Sequence, residues 1–138
     1  MSDSHGATAH RTARVLVADD DADIRILVGI AVRKSGLELV GAAIDGTEAW
    51  ELVRELKPDL LVTDVSMPGL TGLELCSLIR DDKELSGTRV VLLSAAVDEG
   101  AHAAGRDAGA TEYLIKPFSP RDLADRLVDL TQPSAGRP

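Results

Sequence analysis

The sequence predicts an α/β fold, a doubly wound five-stranded parallel sheet with helices on both faces. Three observations carry this expectation. Short apolar runs alternate along the chain with amphipathic segments of helical spacing. The runs are apolar throughout, as strands buried on both faces are. The patterned stretch, residues 14–130, is too short for a closed eight-fold barrel. Right-handed crossovers then put helices on both faces of an open sheet.

Val15-Leu16-Val17-Ala18 is the first strand, and Ile24, Leu27, Val28, Ala31 and Val32 form the stripe of the first helix. Gly36 stands where a left-handed cap belongs. Residues 37–43, interrupted by Glu38 and Gly41, read as a weaker strand at an edge. Asp45-Gly46-Thr47-Glu48 resembles a capping box for a helix carrying Ala49, Leu52, Val53 and Leu56, which Pro58 stops. Residues 59–63 are the third strand, with Asp64 just after it. Thr71-Gly72-Leu73-Glu74 is a second capping-box candidate, ahead of a helix with Leu75, Leu78 and Ile79 on its apolar side. Residues 89–93 form the fourth strand, with Ser94 just after it. Residues 97–108 are a weak helix, since Gly100 and Gly105 each cost roughly 1 kcal/mol against Ala. Gly109 closes that helix, and residues 111–115 are the fifth strand. Ser119 and Pro120 suit the N-cap and first position of the last helix, whose apolar side is Leu123, Leu127 and Leu130.

Composition narrows the function. The chain has 138 residues, enough for one domain at 14–130, with polar tails expected to be disordered at 1–13 and 131–138. Fifteen basic against 23 acidic residues leave a net charge of -8, which argues against nucleic-acid binding by this chain itself. Aromatic residues are 2% of the chain, so no base-stacking platform exists and the core is aliphatic. The single cysteine, Cys76, excludes an internal disulfide and any CxxC site. No apolar run reaches the length of a membrane span and no signal peptide is visible, so a cytoplasmic protein without membrane contact is expected.

In open parallel sheets, ligands sit beyond the carboxyl ends of the strands at the topological switch point. The residues there are Asp19, Asp20, Asp21 and Asp23 after the first strand, Asp64 after the third, Ser94 after the fourth and Lys116 after the fifth. Crowded carboxylates repel, and a hard divalent cation such as Mg²⁺ resolves that repulsion. A carboxylate beside such a cation can attack phosphorus and form an acyl phosphate. The charge on a transferring phosphoryl group can then be met by Mg²⁺, a Lys ammonium and a Ser hydroxyl. Plainer readings compete. Asp21 and Asp23 suit a helix N-terminus. The acidic run also mimics an EF-hand, but Ile24 and Ile30 occupy the positions that need Gly and Glu. Asp64 alone could be a turn residue, Lys116 a surface lysine and Ser94 a cap. Tyr113 suits packing at an edge strand, and no role is assigned to Trp50. Cys76 reads as a small core residue and His102 as solvent-facing.

Four blocks, VLVADD, LLVTDVSMPGLTG, VVLLSA and YLIKPF, resemble in order the signature blocks of the response-regulator receiver domain. The resemblance spans residues 14–130 and implies a flavodoxin-like, CheY-like sheet of order 2-1-3-4-5. It implies that Asp64 is the phosphoacceptor. Asp20 and Asp64 would hold Mg²⁺ directly, Asp19 largely through water, and Ser66 through its backbone carbonyl. Ser94 would move onto the phosphoryl group, Lys116 would pair with it across a cis Lys116-Pro117 bond, and Tyr113 would turn inward as the switch. Ser66 and Ala96 stand where the family tunes the access of water to the acyl phosphate, and neither is a carboxylate or an amide.

The function so implied is that of a signalling switch, not an enzyme with turnover. A histidine kinase or phosphotransfer protein would supply the phosphoryl group, and the face of the fourth helix, fifth strand and fifth helix would meet a downstream protein. Charges on the last helix, Arg121 with Asp125 and Asp122 with Arg126, suit a homodimer or plain solvation. Only eight residues follow Leu130, too few for an output domain, so a stand-alone receiver and a fragment of a larger regulator both stay open. A pseudo-receiver that is never phosphorylated would have lost the acid or the lysine, and both are present. An aspartyl phosphatase would carry a second acid two residues after Asp64, where Ser66 stands.

Overall fold

The computed structural model describes residues 12–94, 99–116 and 118–131. The strands are β1 (Arg14–Ala18), β2 (Glu38–Ala43), β3 (Leu60–Asp64), β4 (Arg89–Ser94) and β5 (Glu112–Ile115). The helices are α1 (Ala22–Lys34), α2 (Gly46–Leu56), α3 (Gly72–Asp81), α4 (Glu99–Ala108) and α5 (Pro120–Thr131). All pairings are parallel, in the order β2-β1-β3-β4-β5. The chain leaves β1 to one side for β2 and returns to its other side for β3, so the switch point lies at the carboxyl ends of β1 and β3.

The unbroken apolar runs are explained by two cores. Leu16, Leu61, Val90 and Leu92 point to one face, where Ala49 and Val53 of α2 and Leu75 and Ile79 of α3 cover them. Val15, Val17, Leu60, Val62, Val91 and Leu93 point to the other, under α1 and α5. Fully burying each Leu or Val stabilises the fold by roughly 1.5–3 kcal/mol before ordering costs. Cys76 lies in the first core, where burial pushes its thiol up against the opposing charge of Arg80.

The helix ends follow the local signals. Asp21 caps α1 by accepting from the N–H groups of Asp23 and Ile24, so Asp21 and Asp23 serve the helix start. Gly36 and Gly109 sit at φ 80° and 95°. At α2, Asp45 accepts from Glu48 N–H, but Glu48 Oε1 accepts from Ile44 N–H at 2.8 Å, so the capping box is displaced by one residue. Asp45 is fully extended, at φ -155°, which leaves the Ile44 N–H as the donor in reach. Thr71 and Glu74 make the complete box. Ser119 Oγ accepts from Asp122 N–H at 3.0 Å, as an N-cap does.

Several expected boundaries shift. Asp64 and Ser94 are the last residues of their strands, because the β3–β4 ladder continues to Asp64 opposite Leu93 and that of β4–β5 to Ser94 opposite Ile115. The flaw in β2 is a register shift between its pairs with Val15 and Leu16, passing from Leu39 to Gly41. Thr131 belongs to α5, where its hydroxyl donates to Leu127 O at 2.8 Å, so the helix runs past the expected start of the tail. Arg126 pairs with Glu112 of the neighbouring β5 in place of the expected Asp122 on its own helix. Residues 1–11, Val97 and the C-terminal residues beyond Thr131 lie outside the described residues, as does the side chain of His102.

Candidate functional site

Asp19 follows β1 directly and is fully buried. Its N–H donates to Ala43 O at 3.1 Å, which extends the β1–β2 ladder and fixes the backbone. Its Oδ1 accepts from Asp21 N–H at 2.9 Å, and its carbonyl accepts from Arg25 Nη1 at 2.7 Å. Its Oδ2 faces Lys116 Nζ at 3.2 Å. Lys116 reaches it from the end of β5, across a sequence separation of 97 residues. The same ammonium stands 3.4 Å from Asp64 Oδ2, and Asp64 Oδ1 lies 3.4 Å from Ser66 N–H.

Asp20 completes an acidic group in which carboxylate oxygens of Asp19, Asp20 and Asp64 all lie within 4.8 Å of one another. Asp19 is buried, Asp64 partly so, and Asp20 exposed. Burial and the neighbouring charge of Asp19 push the Asp64 carboxyl above its ordinary value, and Lys116 only partly offsets this. Burial on its own would lower Lys116. Its hydrogen bond to Asp19 and the charges of Asp64 and Asp19 outweigh that, so its pKa is raised. One cation among three carboxylates leaves net negative charge, and all-oxygen ligation suits a hard divalent ion such as Mg²⁺.

Ser94 is buried at the end of β4, where its carbonyl accepts from Lys116 N–H at 2.6 Å. The residue that carries the ammonium is thereby tied to the residue that carries the hydroxyl. Tyr113 of β5 packs on the first core. An added Cβ on Gly105 of α4 would come within 3.1 Å of the Tyr113 ring and 3.2 Å of Leu92, so α4 lies directly on this ring. Ser66 is exposed in the loop after β3, with its N–H toward Asp64. Ala96 and the Lys116-Pro117 bond, expected to be cis, lie outside the described residues.

The strand ends therefore bring Asp19, Asp20, Asp64, Ser94 and Lys116 to one edge of the sheet. Sequence reading missed the residues that brace this edge. Gly46 N–H donates to Pro68 O at 3.0 Å, and a Cβ on Gly46 would lie 1.7 Å from Leu70 O. Gly69, at φ 80°, meets Thr47 in return. The loop after Asp64 is thus seated on the start of α2. The Asp-Gly pair at 45–46 was the available signal, but as a turn marker it says nothing of which loop it meets. At the opposite end of the sheet, Arg80 ties α3 to the Thr88 and Gly109 carbonyls, at 2.7 and 2.9 Å, with nothing in its sequence context to mark it.

A fold with this order and an acid cluster at its switch point defines a receiver-type protein. The family model described as "Response regulator receiver domain" matches residues 15–128. The DNA-binding response regulator MtrA of Mycolicibacterium paratuberculosis is 39% identical over 114 residues, covering 83% of this chain and 49% of MtrA. The signal receiver domain of NarL from Mycobacterium tuberculosis matches with a TM-score of 0.81 at 32% identity, covering 86% of this chain and 95% of that one. The chemotaxis response regulator CheY4 of Vibrio cholerae matches at 0.79 and 32%, covering 86% and 98%. The chain belongs to the response regulator receiver domain family. It spans about half the length of the curated relatives it matches. No helix among the described residues is long and apolar enough to cross a membrane.

Proposed function

We propose that this protein is a phosphorylation-controlled switch whose acceptor is Asp64. One observation carries the reading: Lys116 bridges Asp19 and Asp64 at 3.2 and 3.4 Å beside the exposed Asp20. The donor is the phosphohistidine of a histidine kinase or phosphotransfer protein. Asp64 Oδ attacks phosphorus, the P–N bond breaks, and its electron pair returns to the imidazole nitrogen. Asp20 and Asp64 would hold Mg²⁺ with the Ser66 carbonyl, and Asp19, whose two oxygens already serve Asp21 and Lys116, would act through water. The bound ion supplies charge neutralisation at the phosphoryl oxygens.

The chain's own groups do the rest. Lys116 meets a phosphoryl oxygen, and Ser94 donates its hydroxyl to another. The movement of Ser94 reaches Tyr113 and, through Gly105, α4. The phosphorylated form favours one of two pre-existing conformers and re-presents the α4-β5-α5 face to a downstream protein or to a second copy. The receiver unit runs from β1 to the end of α5, residues 14–131, and the protein is cytoplasmic. The length of the curated relatives supports a second reading of scope, in which this receiver is part of a larger regulator.

Intact mass spectrometry after incubation with acetyl phosphate tests the reading. One phosphoryl adduct is expected, dependent on Mg²⁺ and absent from Asp64→Ala. A folded, Mg²⁺-binding wild type that takes no adduct from acetyl phosphate or a phosphorylated kinase would make this chain a pseudo-receiver.

A further inference from the structure

An open groove of about 650 Å³ lies between α3 and α4, away from the acidic site. Its floor is apolar: Leu73 and Leu78 from α3, Ala104 and Ala108 from α4, with Leu70 at one end. Its rim is acidic, formed by Glu74, Asp81 and Asp107, all exposed. No basic residue is among the described residues that line it. The hollow between β5 and α5 differs, because there Arg126 stands among Asp122, Asp125 and Asp129.

We propose that the α3–α4 groove binds a basic amphipathic helix of a partner protein. The α3 face that lines it, from Leu73 to Asp81, spans more than two turns. A docked helix uses apolar anchors at i, i+3 or i+4, and i+7, which such a trough accommodates. Ala104 and Ala108, one turn apart on α4, leave room for large anchors. The three rim carboxylates select Lys or Arg on the flanks of the ligand and repel an acidic helix. Such a partner would grip α4, the helix that lies on Tyr113 through Gly105. Its occupancy would therefore read the position of α4. The groove is present in the chain without a phosphoryl group on Asp64, so its binding is measured separately and the two readings fail separately.

The probe is a synthetic helix about 14 residues long, with Leu anchors and Lys flanks, beside a Glu-flanked counterpart. Amide shifts of the full chain are followed by NMR during titration. Shifts confined to the surroundings of Leu73, Leu78, Ala104 and Ala108 are expected. Asp81→Lys with Asp107→Lys, both at exposed positions, should weaken binding about tenfold or more without unfolding the chain. Three outcomes would overturn the proposal. They are equal affinity for the Glu-flanked peptide, shifts spread over other acidic surfaces, or indifference to the double charge reversal. Self-association in sedimentation velocity that Ile26→Glu and the Asp81/Asp107 charge reversal each abolish would also overturn it. That result would make the occupant α1 of a second copy, where Ile26 is 61% exposed and Arg33 and Lys34 follow.

Discussion

At the scale of single residues, Lys116 joins groups that the chain keeps far apart. Lys116→Met leaves Asp19 buried with its Oδ2 unmatched, and a loss of about 2–3 kcal/mol is expected in urea denaturation. The pH dependence has a definite sign. The folded pKa of Lys116 lies above its unfolded value, so its contribution is complete below that value and is lost as pH rises through the folded one. The gap between wild type and variant should hold at neutral pH and close in strong alkali. Asp64 is also raised, with the opposite consequence for stability. Its ionised form is a cost at neutral pH, relieved as pH falls through the raised value. The identity of these residues was legible in the sequence, because each ends a strand. Burial was not: Asp19 and Asp20 are adjacent and chemically identical, yet only the ladder bond to Ala43 and the Asp21 turn draw Asp19 inward.

Among the elements, the strands and helices were legible wherever propensity and pattern agreed. The strands of the sheet centre read as unbroken apolar runs because helices cover both faces. Elements misjudged by a residue or two were those whose ends are set by neighbours. Arg126 chose Glu112 on β5 because i,i+4 partners are only one option for a long side chain. The seat of the β3–α3 loop on α2 was also invisible, being a contact between a loop and a helix start distant in sequence. It makes a sharp prediction. Gly46→Ala must push the Leu70 carbonyl away, since the new Cβ would lie 1.7 Å from it. A loss of about 2 kcal/mol or more is expected in thermal or chemical unfolding, as for other overpacked sites. Adduct formation with acetyl phosphate should slow as well, because the displaced loop carries Ser66. An alanine variant of wild-type stability would show that the loop and the start of α2 are not in firm contact.

For the whole molecule, the doubly wound order turns a linear scatter of acids into one site, and the energy of that site is part of folding. Three carboxylates and one ammonium at the switch point leave negative charge that the apo fold must carry. Any ion that binds only the folded chain stabilises it, by about 2.7 kcal/mol at a hundredfold excess over its dissociation constant. Calorimetry should therefore show Mg²⁺ raising the Tm of the wild type. Asp64→Asn should be more stable than wild type without the ion, by a few degrees, and respond weakly to it. An equal Mg²⁺ response in both proteins would place the ion elsewhere.

The assignment of Asp64 as acceptor depends on which oxygen receives the phosphoryl group. Borohydride reduces an aspartyl phosphate to homoserine, so peptide sequencing by tandem mass spectrometry after phosphorylation and reduction identifies the acceptor directly. Homoserine at position 64 alone is predicted, formed only with Mg²⁺ present and diminished in Lys116→Met. Homoserine at Asp19 or Asp20, or at position 64 regardless of Mg²⁺ and Lys116, would contradict it.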